Sequence, residues 1–155
     1  VTGLVPLRVG DQVRFGHQVT EADVYLFAAV TGDSNEDHVD ATSPVARQHG
    51  RIAHGAYLVS LMATAGALIH QRHDVPSVSA GYDRIRFVRP VPIGTQVEVR
   101  YQIDRVDERR GRAEAAIEIA NADGTVVAVG RHLIAFMTAE GTPPQKQQED
   151  DDDGA

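Results

Sequence analysis

The chain contains no cysteine among its 155 residues. That excludes disulfides, a thiolate nucleophile and cysteine-ligated zinc, and it fits a protein of the cell interior. Basic residues are in the minority, with 15 Lys and Arg against 22 Asp and Glu for a formal net charge of -7. With no basic stripe ready to displace counterions, a primary nucleic-acid role is disfavoured. No apolar run is long enough to cross a bilayer, and Val1 to Gly10 lacks the basic region and apolar stretch of a signal peptide. A cytoplasmic location is the expectation. No Gly-x-Ser-x-Gly elbow surrounds Ser60, which argues against a serine hydrolase, and no internal repeat is present. Asp33, Asn35 and Asp37 imitate the opening ligands of a calcium loop. The position requiring glycine is His38, however, and the closing glutamate position is Pro44.

What is present suits one soluble domain. The chain is 42% hydrophobic and 24% charged, with enough length for a single sizeable core. The domain is expected over residues 1–137. The stretch 138–155 combines Pro143-Pro144, glutamines and the run Glu149 to Asp153, which cannot bury enough apolar surface to order itself. Thr20 is a candidate N-cap with Asp23 three residues later, and Gly32 can end the short helix carrying Val24, Phe27, Ala28 and Val30. Asp33 to Asp40 reads as a polar loop, followed by a helical turn over Pro44 to Gln48. From Gly55 to His70 the residues are apolar nearly all round, which predicts a helix buried on most sides. The period then becomes two, through Val97, Val99, Tyr101 and Ile103, then Ala113, Ala115, Ile117 and Ile119, then Val126 to Phe136. Turns are marked at Arg109 to Arg112 and at Asn121 to Gly124. One long buried helix followed by an antiparallel meander predicts an α+β fold, a curved sheet wrapped around the helix in the hot-dog manner.

Two clusters carry candidate chemistry. The loop Thr31-Gly32-Asp33-Ser34-Asn35-Glu36-Asp37-His38 holds a carboxylate and an imidazole, the side chains best suited to proton transfer near neutral pH. Their spacing would not align them on a helix, so they meet only if the loop turns back. The segment Ile52-Ala53-His54-Gly55-Ala56-Tyr57-Leu58-Val59-Ser60 places a glycine at the start of the long helix. Its unhindered N–H at the positive end of the helix dipole can hold a developing oxyanion. Arg84, Arg86 and Arg89 lie on or near one strand, either as partners for phosphate or as an ordinary charged surface. His70 and His73 have helical spacing for a metal, although dipole compensation is the more ordinary role.

Together these clusters, with Phe87-Val88-Arg89-Pro90-Val91 and Gly94 downstream, resemble the MaoC-like, (R)-specific enoyl-CoA hydratase and dehydratase family over about residues 10–137. The resemblance implies a reversible hydration of a 2-enoyl thioester, with Asp33 and His38 as a catalytic dyad on one water. It also implies Gly55 as the oxyanion donor, Asn35 bracing the loop, Ser60 near the water or Asp33, and His54 as a structural histidine. Tyr57 and Met62 would crowd the acyl tunnel. The substrate would be an acyl-CoA or acyl-carrier-protein thioester, with no metal and no cofactor beyond the substrate's own coenzyme A, in a homodimer. Glu36 stands where the family usually has proline, removing a fixed φ and adding a charge beside the site. Two other readings are a hot-dog thioesterase and a non-catalytic acyl-thioester-binding partner subunit. The first would want a carboxylate on the central helix, and Gly55 to Ile69 has none.

Overall fold

A computed structural model of the chain describes residues 7–73 and 76–137. The acidic stretch expected to be unstructured, 138–155, lies outside them. In chain order the elements are β1 (Gln12–Gln18), α1 (Glu21–Thr31), α2 (Glu36–Val39), α3 (Pro44–His49), α4 (Gly55–His73), β2 (Ser77–Phe87), β3 (Gln96–Asp107), β4 (Arg112–Asn121) and β5 (Val126–Phe136). The strands form one antiparallel sheet in the order β1-β3-β4-β5-β2. Among the described residues, no helix is long and apolar enough to cross a membrane.

Alternation sets the inner face. Val97, Val99, Tyr101 and Ile103 of β3 are buried, and Val99, Tyr101 and Ile103 stand opposite Ile119, Ile117 and Ala115 of β4. Helix α4 packs against β3 and also against β1 and β2, the two edges of the sheet. Four strand spacings separate those edges, roughly 19 Å in a flat sheet. A helix about 10 Å across touches both only if the sheet curls around it. The result is the expected hot-dog arrangement.

Two expectations need correction. Helix α4 extends to His73, beyond the expected end at His70, and it is covered on one face only. Tyr57, Leu58, Leu61, Met62, Ala65, Gly66 and Ile69 are buried, whereas Ala56, Ala63, Ala67 and Leu68 are exposed. A single curved sheet covers one side of a helix, so the outer apolar residues of this chain have no layer above them. Strand β2 was anticipated only as a strand on or near Arg84 to Arg89, and its bounds, Ser77–Phe87, were not legible from the sequence. It is an edge strand whose register slips between Ser79 and Gly81 and again between Asp83 and Arg86, and each slip breaks the two-residue period.

Against the far half of α4 lies a buried polar cluster. His132 is 2% exposed, with Nδ1 2.8 Å from the Tyr101 hydroxyl and Nε2 2.9 Å from the Ser79 hydroxyl. Its ring stacks on Tyr82 with centroids 4.6 Å apart. Glycine is required at position 66, because a Cβ there would sit 2.9 Å from Cε1 of His132. His70 is directed to this cluster, 6.4 Å from His132 between ring centroids, which sets aside the dipole-compensating role considered for it. Burial, helped by the neighbouring His70, pushes the His132 imidazole down to about 4 from an ordinary 6.5.

A group whose folded pKa is depressed in this way binds its proton more readily in the unfolded chain. The fold therefore loses stability as pH falls from 6.5 to 4, by on the order of 3 kcal/mol from this residue. In His132→Phe the decline of the thermal midpoint over that interval should be visibly shallower than in the wild type. Parallel slopes in the two proteins would remove His132 as the source.

Candidate active site

The site is assembled from the end of α1, the one-turn helix α2 and the start of α4. Thr20 and Asp23 form the expected capping box at the front of α1. At its end Gly32 adopts φ 79°, a left-handed conformation that glycine enters without strain, and its N–H bonds the Ala28 carbonyl at 2.8 Å. The chain reverses there and delivers Asp33. Asn35 then caps α2, its side-chain oxygen accepting from the Asp37 N–H at 3.0 Å, while its own N–H donates to Asp33 Oδ1 at 3.3 Å. The expected polar loop thus contains a helical turn, and that turn swings His38 back toward Asp33. Glu36 opens α2. The first helical position is where a proline is well tolerated and where an acidic side chain suits the free N–H groups, so the substitution is accommodated locally.

Residues 51–54 hold this loop from the other side. His38 Nδ1 donates to the Ile52 carbonyl at 2.8 Å, and the Ile52 N–H donates to the Asp37 carbonyl at 3.1 Å. His54 Nε2 donates to the Asp33 carbonyl at 2.9 Å. The segment is itself tied to the stretch before β3, through Ala53 N–H to Val91 O at 2.8 Å and Ile93 N–H to Arg51 O at 2.9 Å. The rings of His38 and His54 stack with centroids 3.7 Å apart and planes 27° apart.

With Nδ1–H bound to a carbonyl, His38 is left with Nε2 as its lone-pair nitrogen. Asp33, His38 and His54 each present a ligand-type atom, all within 4.8 Å of one another. Two hydrogen bonds of about 2.8 Å meeting at a tetrahedral oxygen span ~4.6 Å, so the separation suits one shared water. The same three groups fit a metal ion less well. A ring nitrogen bonded to a carbonyl is equally the habit of metal-ligating histidines, but two stacked ring planes 3.7 Å and 27° apart keep their remaining lone pairs in separate planes, so the two do not meet head-on at one ion.

His54 is the residue before α4, and its carbonyl accepts from Tyr57 N–H at 3.1 Å and Leu58 N–H at 3.4 Å. Gly55 therefore opens the helix, where its N–H has no intrahelical partner and lies at the positive end of the dipole. A Cβ at Gly55 would fall 2.6 Å from Cε2 of Phe87, so the absence of a side chain lets that ring lie against the head of the helix. Phe87 and Ile52 stand in the sequence motifs without a role of their own, and Phe27 as a helix residue; the fold makes the Ile52 carbonyl orient His38 and packs the Phe27 ring 5.0 Å from that of His54. Backbone acceptors and ring contacts between distant segments leave no linear signature.

The remaining candidates are dispersed. Ser60 donates to the Tyr57 carbonyl at 2.6 Å and makes no bond to Asp33 among the described residues. Tyr57 is buried with its hydroxyl 2.7 Å from His17 Nε2, and burial, aided by Asp23, raises its pKa well above the ordinary range. Met62 is fully buried against Gly130 of β5. Arg84, Arg86 and Arg89 are exposed and do not converge. Arg86 bonds the Ile85 carbonyl and Arg89 the Val126 carbonyl. Arg84, at φ 53°, lines a groove of about 530 Å³ with Asp83, Asp104, Arg105, Glu114 and Arg131. That groove is lined by charge pairs and shares no residue with the site around Asp33.

A family model described as a MaoC like domain matches residues 6–125. The 3-hydroxyacyl-thioester dehydratase Z of Mycobacterium tuberculosis is 34% identical over 95 residues, covering 58% of this chain and 61% of that protein. The chain thus spans about three fifths of the length of that relative. The 3-hydroxybutyryl-CoA dehydratase of Methylorubrum extorquens is 30% identical over 122 residues, covering 78% of this chain and 76% of that protein. Among solved structures, an (R)-hydratase from A. caviae involved in PHA biosynthesis matches with a TM-score of 0.70 at 28% identity, over 83% of this chain and 96% of that one.

The contact between Gly55 and Phe87 is directly testable. Gly55→Ala should lower stability by about 1 kcal/mol as its methyl displaces the ring, and Phe87→Ala added to it should recover most of that loss. Strictly additive losses in the double variant, measured by denaturant unfolding, would mean that the two positions do not press on each other.

Proposed function

The chain belongs to the MaoC-like domain family, and on that premise we propose that it is a lyase adding water reversibly to a 2-enoyl thioester to give the (R)-3-hydroxyacyl thioester. The observation that carries the reading is a carboxylate and an imidazole within 4.8 Å of each other and of His54, the residue next to the Gly55 N–H that opens α4 without an intrahelical partner. Relatives named as dehydratases of 3-hydroxyacyl thioesters and as an (R)-hydratase support the reaction class. The lack of any Asp or Glu from Gly55 to Ile69 counts against thioester hydrolysis, which would use a carboxylate there.

In this mechanism one water bridges Asp33 and His38. His38 Nε2 takes one proton as the water oxygen bonds to C3, and the Asp33 carboxylate accepts a hydrogen bond from the other O–H, which stays on the new hydroxyl, and so orients the attack. The C2–C3 electron pair moves toward the thioester carbonyl, whose developing charge is met by the Gly55 N–H. The proton held on the pair then passes to C2, so the dyad ends in the protonation state in which it began. Dehydration is the same path reversed. The acyl group is carried by coenzyme A or a carrier protein, and coenzyme A enters only as part of the substrate. Arg86 and Arg89, close in sequence to the Phe87 that lies against Gly55, would meet the coenzyme A phosphates by leaving the carbonyls they now bond, whereas Arg84 lines the charged groove. Tyr57 and Met62, buried on the inner face of α4, limit the room for the acyl chain.

The same proposal makes the protein a cytoplasmic homodimer. Strand β2 is an edge with no partner on its outer side among the described residues, and Val78, Phe87, Val88 and Leu68 are exposed close to it or on the uncovered face of α4. A second copy would cover both. Light scattering should give twice the chain mass, and a monomer at micromolar concentration would contradict the assembly.

The reaction is tested by following the conjugated enoyl absorbance of a short 2-enoyl-CoA. Loss of absorbance without release of free thiol is the expected result, and thiol release would indicate the hydrolase instead. Asp33→Asn and His38→Ala should each lower kcat by ~10²–10⁴-fold while unfolding at temperatures close to that of the wild type. Rates near wild type in both variants would overturn the assignment of the dyad.

A further inference from the structure

His54 takes no proton in the mechanism above, yet it touches both Asp33 and His38. Its side chain is 1% exposed. A ring nitrogen facing a carbonyl must carry the hydrogen, so Nε2 donates to the main-chain oxygen of Asp33 at 2.9 Å. The face of the same ring lies on His38, centroids 3.7 Å apart. Phe27 backs it at 5.0 Å and fixes its tilt. One edge of His54 thus holds the backbone that presents the carboxylate, while one face holds the imidazole. A residue present only to fill space would be better replaced by an apolar ring, because Nδ1 of His54 is buried with no partner among the described residues. An imidazole supplies an edge donor and a stacking face in the same small ring.

We propose that His54 is the positioning residue of this site, setting the separation and mutual orientation of Asp33 and His38 without touching substrate. The inference rests on the hydratase reading for its catalytic consequence, although the placement of the two rings does not. It also changes what the His-Gly pair at the head of α4 means: the glycine faces the substrate and the histidine faces the dyad.

Three variants separate the two contacts. His54→Phe keeps the stacking face and loses the donor, His54→Gln keeps an N–H donor and loses the stack, and His54→Ala loses both. With a short 2-enoyl-CoA, each single loss should lower kcat by roughly 10-fold with KM little changed, and His54→Ala by ~10²-fold, the scale of a small misplacement of reacting groups. The shape of the pH–kcat profile should stay that of the wild type, since His54 exchanges no proton in turnover. A second readout needs no turnover. Ring protons of His38 in the ligand-free protein should move to lower field in His54→Gln and His54→Ala as the stacked ring current is lost, and stay near their wild-type positions in His54→Phe.

Folded variants with wild-type kcat, or His38 resonances that ignore all three substitutions, would overturn the proposal. So would the disappearance of one limb of the pH profile in His54→Phe, which would make His54 a proton carrier. A wild-type protein that hydrates no enoyl thioester, with His38 resonances that respond as described, would sink the hydratase reading and leave the positioning geometry standing.

Discussion

The site depends on a small set of hydrogen bonds to main-chain carbonyls between the loop at residues 33–38 and the strut at 51–54. His38 reaches the Ile52 carbonyl, Ile52 reaches the Asp37 carbonyl, and His54 reaches the Asp33 carbonyl. Each is worth only about 1 kcal/mol of stability. Their importance lies in geometry, because without them the loop that carries Asp33 and His38 has no reason to face the head of α4.

That strut is rigid for reasons that begin in the sheet. Residues 51–53 are bonded to Val91 and Ile93, just before β3, and β3 is buried against α4 on one face and paired with β1 and β4 on its edges. The helix in turn is pressed between both edges of a curled sheet. A rearrangement at the loop would therefore require movement in the best-packed part of the protein. The exposed position of Asp33 and the partial burial of His38 follow from the same construction, in which the core ends where the chemistry begins.

The buried cluster around His132 shows the opposite use of the same residue type. Its two nitrogens are both engaged by hydroxyls and it is kept from protonating by burial, so it joins β5 to β3 and β2 and offers nothing to a ligand. At the head of α4 His38 keeps one nitrogen open, and His54 sits edge-on to a carbonyl. The seven histidines of the chain are alike on paper. Surroundings alone set three of them apart: His132 is sealed between two hydroxyls, His38 keeps one nitrogen open, and His54 meets a carbonyl with its edge and a ring with its face.

Local periodicity, turn chemistry and short motifs were enough to read the fold class, the capped helix before the loop and the meander of β3 to β5, and to propose the residue types of the candidate site. They failed at the bounds of β2, where bulges at an edge erase the alternation, and at the outer face of α4, where apolar residues with no covering layer look the same as core. Which groups meet was settled by the packing of distant elements. That packing brought Ile52, His54 and Phe27 behind Asp33 and His38 and Phe87 against Gly55, and it left Ser60 and the three arginines apart. The physical reason is that periodicity reports which face of an element is buried, whereas contact between elements depends on the curl of the sheet and on main-chain acceptors that carry no residue identity.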